Sequence, residues 1–202
     1  MNLRIGFDNP LPPFAWLEGG RPAGLLIDRV AAIVAASGFS ADYVALSLER
    51  SEEALLAGEV DLLAFKAVVP HRLDSLAFSR PIQSTGAALF TLRGSSVAGH
   101  GDLAACGGSA IATPRKGPLA QLLAQRCPDC RVVLTEGYGE SLQAVVDGVA
   151  AAAALNVHVG AHWAQAEFPG RFAPPLSQFA SLELAMAVAR GRGDWILERL
   201  AV

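Results

Sequence analysis

Runs of like charge are missing from this 202-residue chain. Charged residues make up only 17% of it, no run of five or more Lys or Arg occurs, and the formal net charge is −3. Such a composition lacks the electrostatic footprint of a nucleic-acid-binding protein. No stretch approaches the ~18–20 uninterrupted apolar residues of a membrane-spanning helix. Met1-Asn2-Leu3-Arg4-Ile5 leads into a strand-like segment rather than an apolar signal region. The chain is therefore either cytoplasmic or served by an export segment outside these residues.

Catalytic signatures are missing too. There is no G-x-S-x-G elbow, no H-E-x-x-H, no Walker A sequence and no G-x-G-x-x-G after a strand. Of the histidines, His71, His100, His158 and His162, only the last two sit at i, i+4, with no acidic or cysteine ligand beside them, so no metal is expected. Cysteine is scarce. Cys106 stands alone, and Cys127 and Cys130 form a C-x-x-C. That spacing suits a redox pair, half a metal site or a short disulfide. Here it follows a helix instead of opening one, so the thiols lack the helix N-terminus that would lower a thiol pKa. A structural pair or unreactive thiols are favoured over a catalytic pair.

What is present is apolar and periodic. With 52% hydrophobic residues the chain can bury one large core or two small ones. Residues 3–8 read as a strand ending at a Pro-rich turn. Leu26, Val30, Ile33 and Val34 repeat at helical spacing, with Gly38 where a C-terminal cap belongs. A strand at 41–47, a helix opened by Ser51, Glu52 and Glu53 and stopped by Gly58, and a strand over 60–69 complete a βαβαβ order. That order implies a parallel sheet flanked by helices.

A strand at 86–94 is followed by a polar, Gly-rich stretch at 95–102, where a boundary is expected. The order then begins again: strand 109–113, helix 118–126, strand 131–135, helix 140–147 and strand 149–155. Residues 53–65 and 142–155 echo each other, each a helix ending near a glycine and feeding an apolar strand. A strand at 181–191 and a terminal helix close the chain. The expected division is one lobe from 1–90 plus 184–202 and a second from 91–183, joined by two crossing segments that serve as hinges. The fold class is α/β, each lobe a mostly parallel sheet flanked by helices.

Several short motifs occur in a telling order. They are Gly6-Phe7-Asp8 with Pro13-Phe14, then Gly24-Leu25-Leu26-Ile27-Asp28, then Val60-Asp61, Pro70-His71-Arg72 and Phe78-Ser79-Arg80-Pro81. Together they resemble the type II periplasmic binding proteins, specifically the extracellular solute-binding proteins typified by polar amino-acid receptors. The resemblance covers nearly the whole chain. It implies a solute held in a cleft between lobes and captured by hinge closure, with Arg72 gripping a ligand carboxylate.

The resemblance also implies contacts for Thr113, Arg115 and Gly117, in the loop and helix start after the second lobe's first strand. Asp8, Phe14 and Asn156 complete the expected set. Lys66 joins it if it faces inward, and is an ordinary edge charge if it faces outward. Departures from the family pattern are Ala67 and Val69, where Ser or Thr is usual, Leu11 where an aromatic is usual, and Asn156 where an aspartate usually holds the ligand ammonium.

Counting Arg72, Arg115, Lys66 and His158 against Asp8 and Glu136 favours an anion. The expected partner is a small anionic or zwitterionic ligand, a carboxylate-bearing metabolite or an amino acid that depends little on its ammonium, rather than a basic amino acid. The family reading implies capture of a small carboxylate-bearing solute for ABC-type uptake through a membrane permease. The same domain also serves as the sensory part of histidine kinases and diguanylate cyclases, where the partner is a covalently attached signalling domain. A cyclohexadienyl dehydratase-like enzyme would need a carboxylic acid where Asn156 stands. The expectation is a periplasmic or extracytoplasmic monomer that needs no cofactor, its export signal or anchor lying outside these residues.

Overall fold

The computed structural model describes residues 1–95 and 103–200. Most of the Gly-rich stretch at 95–102, including His100, therefore lies outside the described residues. The chain forms two compact units, Met1–Ser84 with Glu183–Val202, and Thr85–Leu182.

The first unit is built on β1 (Asn2–Asp8), which alternates buried and exposed residues at its start and is fully buried from Ile5 onward. A connection follows whose Pro-rich sequence predicts a loop. It contains a short hairpin, β2 (Trp16–Glu18) and β3 (Arg21–Ala23), turned by Gly19 and Gly20, both at positive φ. Two adjacent glycines are what a tight hairpin turn demands.

Helix α1 (Leu25–Ala36) then buries Leu26, Ile27, Val30 and Val34. Its start explains two of the sequence motifs at once. Leu25 N–H donates to the Pro13 carbonyl and Leu26 N–H to the Phe14 carbonyl, so the Pro-Phe loop satisfies helix donors that would otherwise lack partners. Gly24, at φ 127°, lies so close to that loop that an added Cβ would sit 2.3 Å from the Phe14 carbonyl oxygen.

Strand β4 (Ser40–Leu46) pairs parallel to β1 along its whole length, from Asn2 opposite Ser40 to Asp8 opposite Leu46. Helix α2 (Ser51–Ala57) ends at Gly58 in the left-handed region and delivers β5 (Leu62–Ala67), parallel to β1 on its other side. Every residue of β5 is buried, as expected of a strand covered on both faces. A 3-10 turn at Pro70–Arg72 and the short β6 (Leu76–Phe78) follow. The later part of β11 (Gln178–Ala189) returns antiparallel to both β5 and β6, and α6 (Asp194–Leu200) closes the unit. Leu55, Val60, Leu63 and Leu76 are the large residues of a core packed under this sheet.

The second unit starts within β7 (Gln83–Phe90) and adds β8 (Ala110–Pro114), α3 (Leu119–Arg126), β9 (Arg131–Thr135), α4 (Tyr138–Val146), β10 (Ala152–Asn156) and α5 (Val157–Glu167). Strand order is β7-β10-β8-β9, with β7 antiparallel to β10 and the rest parallel. Strand alternation divides β10 between two cores. Ala153 and Leu155 pack with Phe90, Leu142 and Phe172, while Ala152 and Ala154 pack with Leu103, Ile111 and Leu123. Cys127 and Cys130, at the end of α3, form a disulfide with Cα atoms 5.3 Å apart, and both sit in the second of these cores beside the buried Cys106.

The chain passes between units at Ser84/Thr85, inside β7, and at Leu182/Glu183, inside β11. The Ser84 hydroxyl lies 2.8 Å from each carboxylate oxygen of Glu183, which ties the two crossing strands together on the first unit's side.

Candidate functional site

Asp8 is the last residue of β1 and Lys66 the last but one of the adjacent parallel strand β5, so the sheet brings them together. Lys66 Nζ donates to Asp8 Oδ1 at 2.9 Å and Oδ2 at 2.8 Å, and the two side chains are 4% and 5% exposed. Lys66 therefore faces inward, but it is neither an edge charge nor an unpaired cation: Asp8 neutralises it. Two ions removed from water to this degree persist only because each satisfies the other.

Arg72, in the turn after β5, is also buried and also paired. Its Nε and Nη2 donate to Glu52 Oε1 at 3.0 and 2.6 Å, and Nη1 donates to the Ala67 carbonyl at 3.0 Å. Glu52 belongs to the first turn of α2 and is one-third exposed. The sequence assigned it only a role in starting the helix, because nothing in the spacing of a residue twenty positions upstream announces a contact with Arg72. Burial pushes the Glu52 carboxyl up, but the charges of Arg72 and Lys66 and the Arg72 hydrogen bond, with His71 adding to them, bring it below its ordinary value. Lys66 thus acts on Glu52 as well as on Asp8, and the four groups form one array.

That array changes the charge count. Two cations, Lys66 and Arg72, face two carboxylates, Asp8 and Glu52, and the sum is zero. The sequence predicts an excess of positive charge, because Glu52, twenty positions before Arg72, enters the count only once the fold lays α2 beside the turn after β5.

Phe14 is 3% exposed and meets Phe65 edge to face, with ring centroids 6.0 Å apart. Its ring belongs to the core of the first unit, while its carbonyl positions α1. Leu11 is likewise buried, bridged to Ala15.

In the second unit, Thr113 is fully buried on β8 and donates to the Ala154 carbonyl at 2.9 Å. Asn156 is the N-cap of α5. Its Oδ1 accepts from the His158 and Val159 amides at 3.0 and 3.2 Å, and its Nδ2 donates to Thr85 Oγ1 at 3.2 Å. Both side chains are thus engaged within the unit. Arg115 is exposed and paired with the exposed Glu136 at 3.0 Å, a contact worth little in water. Gly117, at φ 112°, has open space where a side chain would stand and leads through Pro118 into α3.

Among the described residues no group of three or more His, Cys, Asp or Glu could hold a metal, and no helix is long and apolar enough to cross a membrane. With Asn156 committed to capping α5, the acid that a dehydratase would need is not supplied at that position.

Known proteins resemble this chain at three levels. The sensor protein BvgS of Bordetella bronchiseptica, described as a virulence sensor, and its counterpart in Bordetella parapertussis are each 29% identical to this chain over 160 residues. The match takes in 77% of this chain but only 13% of theirs. Among solved structures, a histidine kinase sensor domain with similarity to periplasmic binding proteins superposes with a TM-score of 0.88 at 24% identity, covering 99% of this chain and 87% of the other. An ancestral amino acid-binding protein described as a precursor of cyclohexadienyl dehydratase gives 0.80 at 20% identity, covering 99% and 88%. These likenesses show the fold, that of the type II periplasmic binding proteins. The profile of the bacterial extracellular solute-binding proteins, family 3, matches residues 3–194. The chain belongs to that family.

Proposed function

We propose that this chain is the extracytoplasmic sensing module of a membrane signalling protein of histidine kinase type. Its solute is a small zwitterion of amino-acid kind that engages Asp8, Lys66, Glu52 and Arg72. The observation that carries the solute class is the charge balance of that array. A bare anion docking on Arg72 displaces Glu52 and leaves a carboxylate that is only one-third exposed without its guanidinium partner, which costs up to about 1–3 kcal/mol. A zwitterion avoids that cost, because its carboxylate takes the guanidinium while its ammonium meets Glu52. Phe14 backs this end of the sheet. In the second unit Arg115 and the backbone at Gly117 contribute contacts, while Thr113 and Asn156 act by holding β10 and α5 in place.

Sensing is favoured over uptake because the curated relatives are sensors and most of their length lies outside the match. An oxidised Cys127–Cys130 pair favours an oxidising compartment. In this reading, solute binding shifts a conformational equilibrium with the crossings in β7 and β11 as the hinge. The shift is limited by the difference in the solute's affinity for the two states. Solute capture for a membrane permease is the second reading, carried by the family itself.

Thermal unfolding against a panel of amino acids, dicarboxylates and sugars tests the solute class. A ligand at one hundred times its Kd adds about 2.7 kcal/mol of stability. Amino acids are expected to raise the midpoint, and Arg72→Ala to abolish the effect while the protein stays folded. A response to simple organic acids alone, or undiminished affinity in Arg72→Ala, overturns the assignment. Sequencing the gene on both sides separates sensing from uptake: an in-frame membrane span and kinase domain support the first, and a neighbouring permease gene supports the second.

A further inference from the structure

We infer that the first unit carries a second small-molecule site, for an aryl carboxylate, at the strand ends opposite Asp8. A cleft of about 310 Å³ opens there, lined by Arg4, Leu55, Asp61, Arg192, Trp195 and Ile196 among others. Arg4 and Asp8 lie on the same strand, and four residues at about 3.3 Å each place them roughly 13 Å apart. Asp61 immediately precedes β5, and Gly193 follows the antiparallel β11. The cleft therefore occupies the amino ends of β1 and β5, whereas solutes of open α/β sheets bind at the carboxyl ends.

Its chemistry is mixed and ordered. Leu55, Val60 and Ile196 form a buried apolar floor, and the Trp195 indole, 40% exposed, stands beside it. Arg192 Nη2 donates to the carbonyls of Leu55 and Leu56 at 2.6 and 3.1 Å, near the end of α2, so its guanidinium is held in place. It forms no ion pair among the described residues. Arg4 gives Nε and Nη2 to Asp61, and Nη2 also to the Gly58 carbonyl. Two guanidinium groups thus face one carboxylate, a surplus of one positive charge.

Foremost the Arg4 hydrogen bond, and among the lesser causes Arg192, hold the Asp61 carboxyl below its ordinary value, with burial opposing them. Arg192 therefore acts on the same space as the Arg4–Asp61 pair. A positioned planar cation pairs well with a carboxylate, and the Trp195 indole, which also meets the Phe39 ring outside the cleft at 6.5 Å, adds aromatic surface beside the apolar floor for a ligand ring. The volume lies at the lower end of the range for small-molecule pockets, which suits a ligand of one ring.

Titration of the intact, isotopically labelled protein with phenylacetate, followed by NMR, tests the site. Of the three tryptophans, Trp16, Trp163 and Trp195, only the Trp195 indole N–H signal, assigned with Trp195→Phe, is expected to shift and saturate. Affinity should fall about tenfold or more in Arg192→Gln, in Trp195→Ala, and for phenylethanol, which lacks the carboxylate. Thermal midpoints of both variants identify any loss that comes from unfolding, and Trp195→Ala leaves the Arg192 contacts to α2 intact. Failure of the wild-type protein to saturate, a shift at Trp16 in place of Trp195, or equal affinity for phenylethanol overturns the proposal.

Discussion

Lys66 Nζ sits 2.8 Å from Asp8 Oδ2 with both side chains almost wholly withdrawn from solvent. Each of these charges would be intolerable in that position without the other. The pair joins the end of β1 to the end of β5 and, with Glu52 and Arg72, sets the polarity of the first unit's carboxyl edge.

Breaking the pair from one side should be costly. Lys66→Met or Asp8→Leu alone leaves a buried charge unpaired and is expected to destabilise by about 3–5 kcal/mol. The double variant should lose much less than the sum, because an apolar pair of similar volume removes both desolvation penalties. Urea unfolding of the four proteins in a double-mutant cycle measures this coupling.

Glu52 should give stability a dependence on acid. Its carboxyl lies below its ordinary value in the folded protein, since Arg72 and Lys66 outweigh the opposing effect of burial. The unfolded chain then binds the proton more tightly than the folded one. The stabilisation is complete above the unfolded value, near 4.3, and is lost as pH falls through the lower folded value. Glu52→Gln should flatten this acid limb in urea midpoints measured from neutral to acidic pH.

Asn156 should behave as a helix cap. Asn156→Ala removes the acceptor for the His158 and Val159 amides and is expected to cost about 1 kcal/mol, with a range of roughly 0.5–2. Asn156→Asp keeps an acceptor at a helix N-terminus and should restore most of the loss, as thermal unfolding would show.

Gly24 should not tolerate a side chain. At φ 127°, with the Phe14 carbonyl in the space a Cβ would take, Gly24→Ala has to move either α1 or the Pro-Phe loop. The expected loss exceeds about 1 kcal/mol. Gly38→Ala, with open space around its glycine and the more ordinary left-handed φ of 75°, should cost less in the same unfolding assay.

Much of the fold was legible in the residues themselves. Helical spacing marked α1, where Ile27 is buried and the expected Ile33 is only partly so. Apolar runs marked β1, β5 and β10, and Gly58 marked the end of α2. The hairpin at Trp16–Ala23 is not legible in the sequence, although Gly19-Gly20 is the kind of turn that announces one, because the three-residue strands on either side are too short to show alternation.

Composition and periodicity determined by themselves that this chain is α/β, and the order of its short motifs pointed to the solute-binding family. Those features are local, and each element can express them before any other is in place. The tertiary structure alone decided what the candidate site residues do. Lys66 turned out to be neutralised by Asp8, Arg72 to be held by Glu52, and Asn156 to be spent on capping α5. The physical reason is that a charge acts through distance in space. β1 and β5 bring residues 8 and 66 together, and α2 lays residue 52 beside residue 72, at separations along the chain that no spacing rule connects.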